Sequence, residues 1–156
     1  MKKILVPILL LFLTLFPCCH PKPASHLPVT SMQIGSEHFD LEIAVSPHDQ
    51  EVGLMHRDSL DPDHGMIFVN DAVKPQTFWN HDTHFPLDLI FLGSSGNVVS
   101  LKHLDAYSEK VVPSDAPAQY VIELNAGTAA RLHVKIGDHL DLPKDVINAT
   151  SQPSAQ

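Results

Sequence analysis

The densest collection of reactive side chains in the sequence lies in "FWNHDTHFPLDLIFL", residues 78–92, which holds Trp79, His81, Asp82, Thr83, His84 and Asp88. Three chemistries use such residues. A carboxylate beside an imidazole can move protons in a hydrolysis. Imidazoles three residues apart can begin a zinc or copper site. A tryptophan with polar neighbours can hold a ligand without transforming it.

The first two are incomplete. His81 and His84 supply two nitrogens where zinc takes four ligands, or three and a water. His56, His64 or Asp82 would have to supply the rest, and with eleven histidines in the chain some clustering is expected by chance. A metal-binding protein built on His81 and His84 is therefore an alternative reading. An envelope hydrolase using Asp82 or Asp88 with a nearby histidine is another. Ser59 and Ser108 sit in no nucleophile elbow, however, and the chain has no phosphate loop or dinucleotide fingerprint. No cofactor is expected.

The leading reading is a non-catalytic binding module with a polar cleft around residues 79–88. Asp88 opens "LDLIFL", and alternation places it on the face of Ile90 and Leu92. A carboxylate among core residues needs a donor. The basic residues of the folded part are Arg57, Lys74, Lys102, Lys110, Arg131 and Lys135. Arg57 is expected to grip Asp88 through two parallel hydrogen bonds, either as a structural pair or as the floor of the cleft. Trp79 and Phe78 point to opposite faces of a strand, and Trp79 reads more readily as a core residue than as a ligand platform. Thr83 is expected to bond to nearby backbone. Met55 and Met66 either line the cleft or fill the core. Glu123 in "YVIELN" alternates with inward residues and faces the same polar region or solvent. The candidate ligand-binding set is Arg57, Trp79, Asp82, Thr83, Asp88 and Met55, with Gly53 and Leu54 completing the wall.

The elements that must position these residues have mostly a period of two. In "HFDLEIAVS", Phe39, Leu41, Ile43 and Val45 alternate with polar or small residues, and Gly35 in "SMQIGSEHF" marks a hairpin into that strand. Ser46 before Pro47 starts a helix expected to reach about Arg57. "MIFVN", "TFWN", "LDLIFLG", "VVSLKHL", "YVIELN" and "DHLDL" read as short strands, and 127–133 as a helical turn. Many short strands with few helical turns predict a sandwich or barrel.

Outside the domain, Lys2 and Lys3 precede thirteen residues, Ile4 to Phe16, that are largely apolar. That is short of the roughly 20 a membrane helix needs and fits a secretory leader. Cys18 and Cys19, the only cysteines, stand where the apolar run stops, as the acceptor cysteine of a bacterial lipoprotein does. The expected organisation is a leader over 1–19, a proline-rich tether over 20–30, one domain over 31–143 and a disordered tail over 144–156. The destination is the periplasmic side of the cell envelope, on a lipid anchor. With no cysteine beyond position 19, the domain has neither disulfide nor thiolate chemistry. A net charge of −8, falling to −10 without Lys2 and Lys3, excludes the basic footprint of a nucleic-acid binder. The expected partner is a small ligand or an envelope protein, with membrane contact through the lipid alone.

Four blocks, "GLMHRDSLDPDHGMIFVN", "FWNHDTHFPLDLIFL", "GSSGNVVSLKHL" and "AQYVIELNAGTAARLHVKIGD", resemble the domain of unknown function 192 family in order and spacing over about 40–143. The resemblance implies a mainly β, compact, jelly-roll-like β-sandwich or barrel, with one short helix near 47–57 and a helical turn near 127–133. It implies no established activity. The family's loop reads Trp-Met-Lys-Asn-Thr before Pro-Leu-Asp. Here Trp79, Thr83, Pro86 and Asp88 match, while Asn80, His81 and Asp82 replace the methionine, lysine and asparagine. A fixed positive charge is lost and a negative one gained, so an anion bound by the family's loop would be held poorly here.

Overall fold

The structure, a computed structural model, describes residues 26–149. The leader, the cysteine pair and the end of the tail lie outside the described residues. The elements in chain order are β1 (Val29–Ile34), β2 (Glu37–Ala44), α1 (Pro47–Val52), β3 (His64–Lys74), β4 (Thr77–Phe78) and β5 (Leu87–Leu92). They continue with β6 (Val98–Leu104), β7 (Val112–Pro113), β8 (Ala118–Asn125), α2 (Thr128–Arg131) and α3 (Lys144–Ala149). Six strands form one sheet in the order β1-β2-β3-β8-β5-β6, and β4 pairs with β7 in a second, small sheet. The large sheet is open, with β1 and β6 as its edges. The architecture is sandwich-like and mainly β, as expected, and is not a closed barrel.

Local chemistry accounts for the elements near the cleft. Gly35, at φ 59°, turns β1 into β2. The Ser46 hydroxyl accepts the Asp49 amide at 3.1 Å and starts α1, with Pro47 in its first turn. The helix stops at Val52, earlier than expected, because Gly53 adopts φ 48° and its N–H closes the last turn onto the Asp49 carbonyl at 2.8 Å. The segment 53–63 is instead an irregular crossover, with turns at 53–56 and 62–63, that lets β3 run parallel to β2; the other pairings are antiparallel. "DHLDL" is not a strand. It makes a single bridge, Asn97 with His139, and only Leu140 is fully inward, with Leu142 partly buried against the same face.

Alternation along the strands separates two apolar faces. Phe39, Leu41, Ile67, Ile90 and Ile122 share the first with Val134, Leu140 and Val146 from the C-terminal segment. Val146 of α3 is fully buried, so residues 144–149, expected as the start of a disordered tail, belong to the fold. Met66, Phe68, Leu89, Phe91 and Val121 form the second face, under the crossover and residues 76–86. Phe78 meets Phe68 and Phe91 edge-on, at 5.0 and 5.7 Å between ring centres.

β3 and β8 meet at the centre of the sheet. A Cβ at Gly65 would stand 2.5 Å from the Glu123 carbonyl and 2.7 Å from Leu124 Cδ2. Glycine is what the close approach of these strands requires, next to Met66 and its cross-strand partner Glu123, which floors the cleft.

Candidate functional site

A cleft of about 360 Å³ opens over the second face. One wall is α1 and the start of the crossover, including Gln50, Glu51 and Met55; the other is the segment from Gln76 to Thr83. The walls are tied together where the His56 N–H donates to the Asp82 carbonyl at 2.9 Å. Both residues hold left-handed backbone, φ 63° and 46°, a conformation that is uncommon outside glycine and is tolerated best by asparagine and aspartate. Position 82 can therefore exchange an amide for a carboxylate without disturbing the bend.

Polar side chains build the walls in one consistent way. The Gln50 amide nitrogen donates to the Val69 carbonyl at 2.9 Å and that of Gln76 to Ala118 at 3.1 Å. Asn70 donates to Gln119 at 3.0 Å, and Asn80 donates to both Phe85 and Asp105, at 3.0 and 2.8 Å. Gln50, which also reaches the Ala44 carbonyl at 3.3 Å, and Asn80 spend both N–H groups on backbone, Asn70 and Gln76 one each, and the four amides have carbonyl oxygens to offer a ligand.

The floor carries Glu123, which is 4 % exposed. Its cross-strand neighbours are Met66 and Leu89, both fully buried and apolar, and no described residue hydrogen-bonds its carboxyl. Burial pushes its pKa up to about 8, with the charge of Arg57 pulling weakly the other way. At neutral pH the floor is mainly a protonated acid. The candidate set drawn from the sequence left Glu123 out, although one signal was present: a carboxylate at an inward position of an apolar central strand.

Arg57 does not meet Asp88. Its guanidinium holds Glu42 of β2 through two parallel hydrogen bonds, 2.6 and 2.8 Å long. Glu42 faces the second apolar face, level with Met66, beneath the crossover that carries Arg57. Asp88 faces the first, so the sheet stands between the expected partners. Asp88, 8 % exposed, accepts the Ala129 amide at 2.9 Å. This caps α2, whose own N-cap, Gly127, has no side chain for the purpose. His103 Nδ1 stands 3.5 Å away. Asp88→Ala is expected to cost about 1–2 kcal/mol in denaturant unfolding, with Asp88→Asn losing less.

The remaining candidates divide. Trp79, expected in the core, is 45 % exposed and lines the cleft, one face stacked on His81 at 4.9 Å, while Phe78 takes the inward position. The ring lies outside because β4 ends at Phe78 and the chain then turns. Thr83 is buried, lines the cleft and donates to the His81 carbonyl at 3.2 Å. Met55 lines the wall; Met66 is core. Asp82 contributes its backbone carbonyl, its side chain lying 3.4 Å from His81. His81 and His84 turn to separate carboxylates, Glu109 at 2.6 Å and Asp58 at 3.1 Å. Glu109 holds the His81 pKa above its ordinary value. Among the described residues no three histidine, cysteine, aspartate or glutamate side chains group as metal ligands.

Two solved structures are similar to this chain. A candidate transcription regulator from Sinorhizobium meliloti 1021 is 39 % identical, with a TM-score of 0.64 over 72 % of this chain and 90 % of that one. A protein of unknown function from Novosphingobium aromaticivorans DSM 12444 is 34 % identical, with a TM-score of 0.69 over 77 % of this chain and 89 % of the other. No curated protein matches this chain. The uncharacterised family of domain of unknown function 192 (Uncharacterized ACR) matches residues 30–142, almost the whole described fold, and the chain belongs to that family.

Proposed function

We propose that this protein is a non-catalytic ligand-binding module, displayed on the periplasmic side of the cell envelope by a lipid anchor at Cys19 or Cys18. The observation that carries the binding reading is the cleft itself. It has walls of committed amides, an exposed tryptophan at its rim, and on its floor a buried carboxyl with no hydrogen-bonding partner among the described residues. A concave site with a few placed polar groups is what small-molecule recognition requires. The basic start, apolar run and paired cysteines of the leader support the placement. Loss of membrane fractionation in a Cys18→Ser, Cys19→Ser double variant tests it.

The other readings have less behind them. A hydrolase would pair Asp82 or Asp88 with a nearby histidine, but His81, 3.4 Å from Asp82, is engaged by Glu109, and Asp88, 3.5 Å from His103, caps α2 on the face away from the cleft. Metal binding through His81 and His84 would need imidazoles that now turn to different carboxylates to converge. Nucleic-acid recognition, which the candidate regulator among the relatives brings to mind, would need free basic groups. Of the seven lysines and arginines among the described residues, Arg57, Lys74, Lys102 and Arg131 are each paired with a carboxylate, which leaves three for such a surface in a chain of net charge −8.

The test of the binding reading is a fragment library mapped by amide chemical shifts on the full chain. Perturbations should gather at Gln50, Phe78, Trp79, Thr83 and Glu123. Hits that scatter over the surface, or gather on the α3 side, overturn it.

A further inference from the structure

The charge and hydrogen-bond inventory of the cleft narrows its ligand. Among the described residues no lysine or arginine lines it, whereas Glu123 stands on its floor and Glu51 of α1 on its wall. Arg57, the positive charge felt by Glu123, is held by Glu42 through two hydrogen bonds, so that pair brings almost no net charge. His81 on the opposite wall is engaged by Glu109. The amide nitrogens of Gln50 and Asn80 use both N–H groups on backbone carbonyls, and those of Asn70 and Gln76 one of two. What remains is a site with two carboxyl groups and four amide oxygens as acceptors and no lysine or arginine among the described residues of its lining. A ligand that fits must bring N–H groups and positive charge, and an anion finds no counter-charge there. Trp79, lining the cleft and half exposed, adds an indole ring, the side chain best suited to cation–π contact. A volume of about 360 Å³ suits a small molecule or a single side chain.

Building on the binding reading above, we propose that the cleft is a receptor for a primary-amine cation with a short apolar body, its ammonium seated against Glu123 and its body against Phe78 and Trp79. The ammonium offers three N–H donors, one to Glu123 and the others to the amide oxygens of the walls. On binding, the Glu123 carboxyl ionises. Its proton passes to the buffer, and the amine keeps its three. Such a cation comes either as a free amine or as the side chain of a lysine on a partner protein. The chemistry is shared, and the probe separates the two sources.

Trp79 is the only tryptophan in the chain and reports on the site directly. The full chain is titrated at pH 7 with benzylamine, benzyl alcohol and benzoate, which share a ring and differ in charge, and with Nα-acetyl-lysine amide. Benzylamine or the lysine derivative should change Trp79 fluorescence saturably, the tighter of the two naming the source. The alcohol and benzoate should bind at least tenfold more weakly. Calorimetry in phosphate and in MOPS, buffers of different ionisation enthalpy that carry no primary amine, should show release of close to one proton per cation bound. Glu123→Gln should weaken binding at least tenfold and abolish the release. Glu51→Gln, a change on an exposed side chain that leaves the core untouched, should weaken it about threefold. Benzyl alcohol matching benzylamine, no proton release, or unchanged affinity in both variants overturns the cation proposal and leaves the cleft a binding site for another class. Silence of both amines at Trp79 also overturns it, while the wider binding reading falls only if the fragment map misses the cleft.

Discussion

Glu123→Gln is expected to leave stability nearly unchanged at pH 4–5 and to raise it at pH 9 by about 5 kcal/mol over the natural protein. The carboxyl has an ordinary pKa of 4.5 and a value pushed up to about 8 in the fold. Between those values the folded chain holds a proton that the unfolded chain has released. Stability therefore falls as pH rises from 4.5 to about 8, and is level on either side. Each pKa unit is worth about 1.4 kcal/mol, which sets the scale of the loss. A protonated acid and an amide have similar shape and similar burial cost, so the variant follows the low-pH behaviour throughout. Urea unfolding of both proteins across this range gives the difference curve directly, and groups common to the two cancel. Parallel curves would mean that Glu123 is ionised with a partner at neutral pH.

The same cost bears on function. A buried acid that resists ionisation by itself ionises readily once a cation lies beside it, and an uncharged ligand gives it no reason to. Stability and binding are thus linked through one proton. A ligand that stabilises the protein chiefly above pH 7 would reveal the coupling as an upward shift in melting temperature that grows with pH.

How far these features were legible in the sequence depends on whether a local signal determines them. Alternation placed β2, β5, β6 and β8, and the Ser46–Pro47 pair placed the start of α1, because side-chain direction and caps are set by near neighbours. The same alternation put Asp88 on the correct face. Its partner was misjudged because pairing across a sheet depends on which face the crossover passes over, and no local pattern encodes that. Arg57 found Glu42, fifteen residues away, and Asp88 found a backbone amide instead of a side chain. Trp79 was expected inside because aromatic residues at strand ends usually are. Only the early end of β4 shows why Phe78 has that place. Glu123 was visible as an anomaly in "YVIELN". Its role needed the knowledge that both neighbouring strands present apolar side chains beside it.

Arg57→Met is expected to destabilise the fold by about 3 kcal/mol, and the double variant Arg57→Met, Glu42→Leu to recover most of that loss. The pair is largely out of solvent, with side-chain exposures of 19 % and 10 %, and its two parallel hydrogen bonds hold the crossover against β2. Removing the guanidinium alone strips both bonds from a mostly buried carboxylate. Removing both charges replaces them with apolar volume beside Met66, a trade that is close to neutral where such pairs have been exchanged. A double-mutant cycle by urea unfolding isolates the coupling. Because Arg57 lowers the pKa of Glu123, the single variant should carry the alkaline loss of stability to higher pH than in the natural protein, and the double variant, which removes a nearly neutral pair, should move it much less. A structural pair with no electrostatic reach to the cleft would show the destabilisation and its recovery with no change in that pH profile. If the profile moves with Arg57 and returns to flat when Glu123→Gln is added, the pair and the cleft floor form one charge system. The arginine then acts on the site through Glu123 and not by touching a ligand.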